Sequence, residues 1–359
     1  MPLPSRISSW FRQTQFPTAA APRGVHMKRT LYATFISLFF ASLAAAQTYT
    51  VTDLGLLSGD VSSQGRAVSS TGLVVGDAEN NLQAFFWSPT QGLLGLPHLK
   101  GGQYTIAMGI NASGLIVGNS TYNSIESTHA VVWTNGKVQD LGTLSGGTES
   151  WANAINASGQ IVGGSNSSAT QPNAFLWSRS KGMIDLGVLP KGFYSDALAI
   201  NSLGQVVGYS NTTGGNWHAF SWSKTGGMKD LGTLDSGRST GATANAINDA
   251  GQIVGTSSCG TSCEHAALWT STGVQDLGAL PGSSNVSGAY GINNQGQVVG
   301  QSGHAFVWTQ SSGLQDLNSL IDTNSGWTLI WAFAINDNGQ ITGQGTINGE
   351  SHAFLMTPQ

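Results

Sequence analysis

Short apolar runs alternate with polar turn segments along most of the chain after position 47. The stretch from Trp151 to Leu189 contains four such runs, WANAIN, QIVGGS, NAFLW and MIDLG. Each run has the alternating, β-branched or aromatic character of a β-strand, and the segments between them are rich in Asn, Gly and Ser, which favour turns. Because this part of the chain has no apolar period of 3.6 residues, we predict four short strands per stretch and no helices.

This four-strand unit is repeated seven times. The end of the first predicted strand, with an Asn-x-x-Gly turn after it, recurs every ~45 residues, a spacing typical of β-propeller blades. A β-helix would use a much shorter repeat. The landmark begins at Val68, Ile110, Ile155, Ile200, Ile247, Ile292 and Ile335.

The order of strands at the two ends of the repeat region predicts how the ring closes. Residues Tyr49–Gly55 match a fourth strand with no first three strands before it, and the last unit stops after its third strand, His352–Met356. Pairing of these segments would complete the last blade and leave no sheet edge open. We therefore predict an all-β protein, a seven-bladed β-propeller of four-stranded antiparallel blades, closed by the N-terminal strand.

The first strand of each unit is built from small residues, as in ANAIN and ALAIN, whereas later strands carry Phe, Leu and Trp. Wedge-shaped sheets converge at the axis of a propeller and diverge towards its rim, so side chains must grow larger outwards to fill the space. We therefore predict that the first strand of each blade is innermost.

Residues 27–46 have the features of a cleaved signal peptide: a basic start, the apolar run LYATFISLFFASL and the small residues AAAQ. We predict cleavage after Ala46. Residues 1–26 are then an upstream segment, untranslated or disordered, and residues 47–359 form a single propeller. A retained membrane anchor is the alternative, which the Ala-x-Ala site disfavours. The predicted location is extracellular or periplasmic.

The charge of the chain narrows the choice of partners. The first 46 residues hold five of the 14 Lys and Arg and none of the 18 Asp and Glu, so the remainder has nine basic residues against 18 acidic ones, a net charge of −9. Nucleic acids and anionic membranes need a positive field, and this sequence has no basic cluster. We expect no nucleic-acid binding, no membrane insertion after cleavage of the signal peptide, and a monomer.

The repeat resembles a known family. Its consensus, HAFLW…GMxDLGTL…AxAINxxGQIVG, covers nearly all of 47–359 and is similar to that of the HAF-repeat proteins, exported bacterial proteins named after a His-Ala-Phe triplet. The resemblance implies export and a repeated architecture. It implies no established activity, so the function has to be argued from the residues.

A His and an Asp recur at fixed places in the repeat. Pairing Trp133 with Val138 across the turn Thr134–Lys137 places His129 and Asp140 on one face of the sheet as diagonal neighbours. Such pairs are either acid–base dyads or repeated structural hydrogen bonds. We favour the structural role, because catalysis needs one site and the repeat supplies several copies. The predicted pairs are His129–Asp140, His218–Asp230, His265–Asp276, His304–Asp316 and His352–Asp53.

The chain has two cysteines, Cys259 and Cys263. In an exported chain, two cysteines this close together in a loop predict a local disulfide. A metal site formed with His265 is the alternative. Because a His occupies the same place in repeats that have no Cys, we predict no metal site.

The segments that join each fourth strand to the next first strand are the least uniform part of the repeat. In a propeller they emerge around the axis at one end of the ring. Most carry an aromatic or basic residue beside Ser, Thr or Asn, a combination that suits sugar rings and their hydroxyls. The alternative is that these side chains plug the central channel. The predicted ligand-binding residues are Arg66, Tyr104, Trp151, Tyr194, Arg238, Tyr290, Trp327 and Trp331.

No catalytic motif accompanies these features. The Val-Gly-x-Ser segments do not complete a Gly-x-Ser-x-Gly elbow, and the sequence has no zinc, calcium or phosphate-loop motif. We predict an exported, non-enzymatic binding or scaffold module for a glycan or a cell-surface protein, with no catalytic residues and no cofactor. The alternative is a hydrolase or lyase acting on extracellular polysaccharide, for which Asp60 and Glu149 are the nearest loop carboxylates.

Overall fold

The chain beyond position 47 folds into seven four-stranded antiparallel sheets arranged in a ring. A computed structural model of the protein describes residues 47–78, 82–123, 127–167, 170–212, 215–235, 241–260 and 262–359. The predicted seven-bladed β-propeller is confirmed. No helix in these ranges is both long and apolar enough to cross a membrane.

Each blade has a first, second, third and fourth strand, in order from the axis outwards. The chain begins with β1 (Tyr49–Gly55). Blade 1 contains β2 (Ser63–Val68), β3 (Val74–Ala78), β4 (Gln83–Ser88) and β5 (Gly92–Gly95). Blade 2 contains β6 (Thr105–Ile110), β7 (Ile116–Thr121), β8 (Thr128–Thr134) and β9 (Lys137–Asp140). Blade 3 contains β10 (Ser150–Ile155), β11 (Ile161–Ser167), β12 (Thr170–Ser178) and β13 (Gly182–Asp185).

The second half of the ring follows the same plan. Blade 4 contains β14 (Ser195–Ile200), β15 (Val206–Asn211), β16 (Trp217–Ser223) and β17 (Gly227–Asp230). Blade 5 contains β18 (Ala242–Ile247), β19 (Ile253–Gly260), β20 (Cys263–Thr270) and β21 (Gly273–Gly278). Blade 6 contains β22 (Gly288–Ile292), β23 (Val298–Ser302), β24 (His304–Thr309) and β25 (Gly313–Asp316). Blade 7 contains β26 (Trp327–Ile335), β27 (Ile341–Ile347) and β28 (Glu350–Pro358).

The N-terminal strand supplies the fourth strand of blade 7. β1 pairs antiparallel with β28, with Val51 opposite Met356. The backbone N–H of Gln359 donates to the carbonyl oxygen of Thr48 at 2.9 Å. The ring therefore closes as the strand order predicted, with both ends of the repeat region joined in one sheet.

The first strands of neighbouring blades lie side by side around the axis. A Cβ atom added at Gly291 would lie 3.1 Å from the Phe333 carbonyl oxygen and from the Ala334 Cα of the next blade. This close approach explains the small residues of the first strands. Each first strand also contains a β-bulge, as between Ala152 and Ala154 in β10, which shifts the side chains that follow it.

The core lies in layers between neighbouring blades. Val162 of blade 3, for example, belongs to the same buried cluster as Phe220 of blade 4. Burial of a Phe side chain contributes ~1.5–3 kcal/mol, so each blade is stabilised mainly by its neighbours. The fully buried Phe residues of the third strands are Phe85, Phe175, Phe220, Phe306 and Phe354.

Asparagines link the turns between first and second strands. Asn156 Nδ2 donates to the backbone oxygen of Asn201 in the next blade at 3.1 Å, and Asn156 Oδ1 accepts from the backbone N–H of Gln160 at 3.0 Å. The same inter-blade bond is made by Asn111, Asn201, Asn248, Asn293 and Asn336. These turns, together with those between third and fourth strands, form what we call the lower face; the opposite end of the ring is the upper face.

A four-residue 3-10 helix at Leu317–Leu320 departs from the prediction of no helices. It occupies the loop between blades 6 and 7, where Asn318 replaces the Gly of the repeated Asp-Leu-Gly pattern. The Asn318 backbone N–H donates to Asp316 Oδ1 at 2.9 Å, which caps the helix. The Asn318 side chain also holds the next blade, since its Oδ1 accepts from the Leu329 N–H at 2.7 Å.

Candidate functional site

The upper face carries the inter-blade loops, which join fourth to first strands, and the loops between second and third strands. The two sets meet within each blade, as where the Asn211 N–H donates to the carbonyl oxygen of Tyr194 at 3.1 Å. They also meet between blades, where Glu264 forms a β-bridge with Val286. Side chains from both sets therefore share one surface.

The recurring His and Asp lie on the outer part of this face. The hairpin of β8 and β9 has the predicted register, with Trp133 opposite Val138. His129 Nδ1 lies 2.7 Å from Asp140 Oδ2, and the Gly142 N–H donates to Asp140 Oδ1 at 2.7 Å. The same His–Asp contact, at 2.8 to 2.9 Å, is made by His218–Asp230, His265–Asp276, His304–Asp316 and His352–Asp53.

Two blades that lack the His indicate what the pair does. In blade 3, Asn173 Nδ2 donates to both carboxylate oxygens of Asp185, at 2.9 and 3.2 Å. In blade 1 both members change, and a Cβ at Gly95 would lie 2.5 Å from Gln83 Nε2. An amide can donate a hydrogen bond but cannot exchange a proton as His does. The geometry therefore favours a structural role, in which the Asp orients the start of the inter-blade loop.

Serines at the start of the first strands connect successive blades. Ser150 Oγ accepts from the Ala130 N–H at 2.9 Å and donates to the Gly142 carbonyl oxygen at 2.6 Å. Both partners belong to the preceding blade, in its His129-Ala130-Val131 and Asp140-Leu141-Gly142 segments. The same double contact is made by Ser63, Ser195 and Ser287. The repeated motifs thus form inter-blade joints, and ligand binding must be sought in residues that differ between blades.

A disulfide joins Cys259, near the end of β19, to Cys263, the first residue of β20. His265 Nε2 lies 3.8 Å from Cys263 Sγ and 3.2 Å from Asn285 Oδ1. A metal held by these residues would need free thiolates, and both sulfur atoms are engaged in the disulfide. The arrangement is that of a cross-linked loop.

Asp196 is a buried carboxylate on the axial side of blade 4, only 5 % exposed. Trp151 Nε1 donates to its Oδ2 at 2.9 Å and Asn153 Nδ2 donates to its Oδ1 at 3.1 Å. The Tyr209 side chain is a further hydrogen-bond partner. Burial raises the pKa of Asp196 to about 7, although the hydrogen bonds from Trp151, Asn153 and Tyr209 act in the opposite direction. Asp196 joins blades 3 and 4 and changes charge near neutral pH.

An aromatic cleft lies next to Asp196. Trp217 meets Tyr194 and Tyr209 edge-on, with ring centroids 5.0 and 5.4 Å apart, and the two tyrosines are stacked at 5.9 Å. Trp217 is 39 % exposed. Burial raises the pKa of both tyrosines, so their hydroxyls remain protonated and able to donate. The cleft has a volume of about 520 Å³ and is completed by Gly241, Ala242, Thr243 and Glu264.

A second aromatic cluster lies on the axial side of blades 6, 7 and 1. Trp331 stacks on Phe333 at 5.8 Å, and Tyr290 lies 5.9 Å from each of these rings. The Arg66 guanidinium lies 5.5 Å from the centre of the Phe333 ring and pairs with Asp77 at 2.8 Å. The predicted residues Arg66, Tyr290 and Trp331 therefore all pack around Phe333, which is the arrangement expected of a channel plug.

The remaining predicted residues are dispersed. Tyr104 is 37 % exposed in the loop before blade 2. Trp327 packs against Phe354 at 6.1 Å in the core of blade 7, away from the axis. Arg238 lies outside the described residues. The predicted ligand-binding residues therefore do not form one site. Of them, Tyr194 lines the aromatic cleft and Trp151 binds Asp196.

The sequence did not predict four residues of this region: Tyr209, Trp217, Asp196 and Glu264. A usable signal was the x of the repeated Val-Gly-x-Ser segment, because it varies while the Gly before it is constant in all seven blades. A binding site present on only one blade would require a residue that differs from its counterparts in the other blades, at a position where the repeat tolerates variation. The occupants of this position are Asp77, Asn119, Gly164, Tyr209, Thr256, Gln301 and Gln344.

Comparisons with known proteins agree with the fold. No protein-family model matches the chain, and no curated protein matches its sequence. The virginiamycin B lyase of Staphylococcus aureus is similar in structure, with a TM-score of 0.55 and 11% identity over 86% of this chain and 99% of that chain. A streptogramin B lyase has a TM-score of 0.52 and 11% identity over 87% and 98% of the two chains. At this level of identity the likeness shows the fold alone.

Proposed function

We propose that the protein is an exported, non-enzymatic binding module that holds a neutral glycan in the aromatic cleft. The supporting observation is the grouping of Tyr194, Tyr209 and Trp217 around one open cleft, beside the hydroxyl of Thr243. Apolar faces of sugars stack on aromatic rings, while nearby polar groups bind the sugar hydroxyls. The volume of about 520 Å³ lies within the ~300–1,000 Å³ range of small-molecule sites.

The charges around the cleft favour a neutral sugar over an anionic one. Glu264 contributes an exposed carboxylate to the wall, and Asp196 lies behind Tyr209. No Lys or Arg is among the described residues that line the cleft. A carboxylate or sulfate on the ligand would therefore meet charge of the same sign.

Export has two lines of support. The signal-peptide pattern at 27–46 is one. The disulfide between Cys259 and Cys263 is the other, since disulfides persist in oxidising compartments such as the periplasm and the extracellular medium.

A polysaccharide hydrolase or lyase has less support than a binding module. The carboxylates considered for it lie in different inter-blade loops: Asp60 leads into blade 1 and is buried, whereas Glu149 leads into blade 3 and is exposed. The loop into blade 2 lies between them along the ring. Hydrolysis would need two carboxyl groups facing one glycosidic bond.

The test is a glycan array followed by calorimetric titration of the best neutral glycan. We expect Trp217→Ala to weaken binding at least about tenfold, because an exposed aromatic ring at the centre of a site is a typical binding hot spot. Tyr104→Ala is the matched control, since Tyr104 has nearly the same exposure on the same face but lies outside the cleft. Trp151 is a poorer probe, because it bonds to buried Asp196.

The outcomes are distinct. Loss of binding in Trp217→Ala with retention in Tyr104→Ala supports the proposal. Absence of binding to every neutral glycan, or equal loss in both variants, refutes the assignment to the aromatic cleft. Hydrolysis or elimination products in the titration mixture would support the enzymatic alternative.

A further inference from the structure

The lower face contains a groove that the proposed function does not use. It extends across blades 2 to 4 and has a volume of about 1020 Å³. Its walls are the turns between first and second strands and the turns between third and fourth strands. Those turns are opposite, in each sheet, to the loops that form the aromatic cleft. We call this feature the basic groove; it is lined by Leu115, Val132, Thr134, Gln139, Ile155, Ser158, Gly159, Gln160, Ile161, Leu176, Trp177, Ser178, Arg179, Ser180, Lys181, Ile184, Leu203, Gly204, Trp222 and Lys224.

The charge of the basic groove is opposite to that of the protein. Arg179, Lys181 and Lys224 line it, all three are exposed, and no Asp or Glu is among the described residues of its walls. These are three of only nine basic residues after position 46, against 18 acidic ones. Lys137 and Lys229 lie on fourth strands that begin at the same turns. A local cationic site on an anionic body favours an anionic ligand.

Cations lie in or next to the turn between third and fourth strands in three blades: Lys137 in blade 2, Arg179 and Lys181 in blade 3, and Lys224 and Lys229 in blade 4. The corresponding turn of blade 1 is SPTQG (88–92), that of blade 5 is TSTG (270–273), and that of blade 6 is TQSSG (309–313). None of these three sequences contains a charged residue. The repeat therefore does not require a cation at this turn, and the cations of blades 2 to 4 are not explained by the fold alone.

Apolar groups lie among the cations. The partly buried rings of Trp177 and Trp222 form part of the wall, and Leu203 and Ile184 are 72 % and 37 % exposed. Aromatic walls bind the faces of sugar rings, whereas an Arg fork binds a carboxylate through two parallel hydrogen bonds. A nucleic acid or an anionic membrane would need a wider basic field than three cations on a body of net charge −9.

We infer that the basic groove binds an anionic oligosaccharide, such as a chain of uronic acids. The rings would contact the sugar faces, and Arg179, Lys181 and Lys224 would pair with the carboxylates. The site is separate from the aromatic cleft, so its existence does not depend on the proposed function. If both sites are occupied, one molecule connects a neutral and an anionic carbohydrate.

The test is titration of the protein with an oligogalacturonide at low and at high salt. The comparison ligands are a neutral cello-oligosaccharide of equal length and a poly-glutamate peptide. The double variant Arg179→Gln/Lys181→Gln removes two cations from the groove. The matched control Lys100→Gln/Lys191→Gln removes two exposed cations from the upper face, so both proteins have the same net charge.

We expect salt-sensitive binding of the oligogalacturonide that falls about two- to thirty-fold in the groove variant, as expected for two exposed charge pairs. The control variant should retain the affinity of the unmodified protein. An equal loss of affinity in both variants would mean that binding depends only on the net charge of the protein, and would overturn the assignment to the groove. Equal binding of poly-glutamate would overturn the carbohydrate assignment, and absence of oligogalacturonide binding would overturn both. Binding that survives Trp217→Ala separates this site from the aromatic cleft.

Discussion

Replacement of Asp196 by Asn is expected to remove a pH dependence from the free energy of unfolding. The carboxyl group is buried between blades 3 and 4, and burial raises its pKa from 3.8 to about 7. The unfolded chain releases this proton at a lower pH than the folded chain does. Stability from the protonated group is therefore complete below pH 3.8, decreases as the pH rises, and is lost above pH 7.

The magnitude follows from the same interval. Each pH unit between the two pKa values corresponds to at most ~1.4 kcal/mol, so the unmodified protein should lose about 3 kcal/mol from this group between about pH 4.5 and pH 7.5. The amide introduced by Asp196→Asn would not titrate. Its NH₂ group would, however, face one of the donors from Trp151, Asn153 or Tyr209, at a cost of ~1–3 kcal/mol at every pH.

Urea unfolding followed by tryptophan fluorescence, at pH values from about 4.5 to 8.5, measures both effects. The unfolding free energy of the unmodified protein minus that of Asp196→Asn should be most positive at the acidic end of this range and should fall by about 3 kcal/mol by about pH 7.5. Subtraction of the two curves cancels the titration of the other groups. A difference that stays constant over this range would refute the reasoning.

Two further predictions concern the inter-blade frame. His352→Ala removes the bond to Asp53 at 2.8 Å and should lower the unfolding free energy by ~1 kcal/mol with glycan affinity unchanged. Gln83→Ala is the control, because blade 1 has no Asp at the paired position. An equal loss of stability in both variants would contradict a pairing role for His352. Gly163→Ala would place a Cβ against the carbonyl oxygen of Trp151 and should lower the free energy of unfolding by ~1–3 kcal/mol, measured by thermal or chemical unfolding. An unchanged melting temperature would contradict this prediction, because it would mean that the strand can shift to make room.

The fold could be predicted from the sequence because the same four-strand pattern recurs seven times at a nearly constant spacing. Strand number, blade order and the closing pair Tyr49–Gly55 with the last third strand all follow from landmarks that need no knowledge of side-chain direction. The His–Asp positions also followed, since the turn at Asn135-Gly136 fixes the register of its hairpin, with both residues at positive φ.

The aromatic cleft could be predicted only in part. Tyr194 could be predicted because it lies in an inter-blade loop, but Tyr209 and Trp217 belong to the second and third strands of blade 4. These two residues reach the cleft through strand pairing, because Tyr209 lies opposite Asp196 and Trp217 lies opposite Asn211. Alternation along a single strand does not give these partners, so it does not show which side chains lie together.

The basic groove could not be predicted from charge along the chain. Lys137, Arg179 with Lys181, and Lys224 are separated by about one repeat each, so no window of sequence contains a basic cluster. The ring stacks equivalent turns of consecutive blades next to one another. Residues that are far apart in sequence but share one place in the repeat therefore add their charges on the lower face.

The pairing of β1 with β28 in blade 7 has a consequence for how the protein folds. Thr48 and Gln359 are 311 positions apart in sequence and hydrogen-bond to each other beside the closing strand pair. Blades 1 to 6 are built from consecutive segments and can form in order as the chain lengthens. Blade 7 is completed only when β28 pairs with β1, a contact that closes a loop of 311 positions and therefore has a high loop-closure entropy. Until then the exposed edge of β28 and the free strand β1 are open to pairing with another chain, so the final step of folding competes directly with strand exchange between molecules.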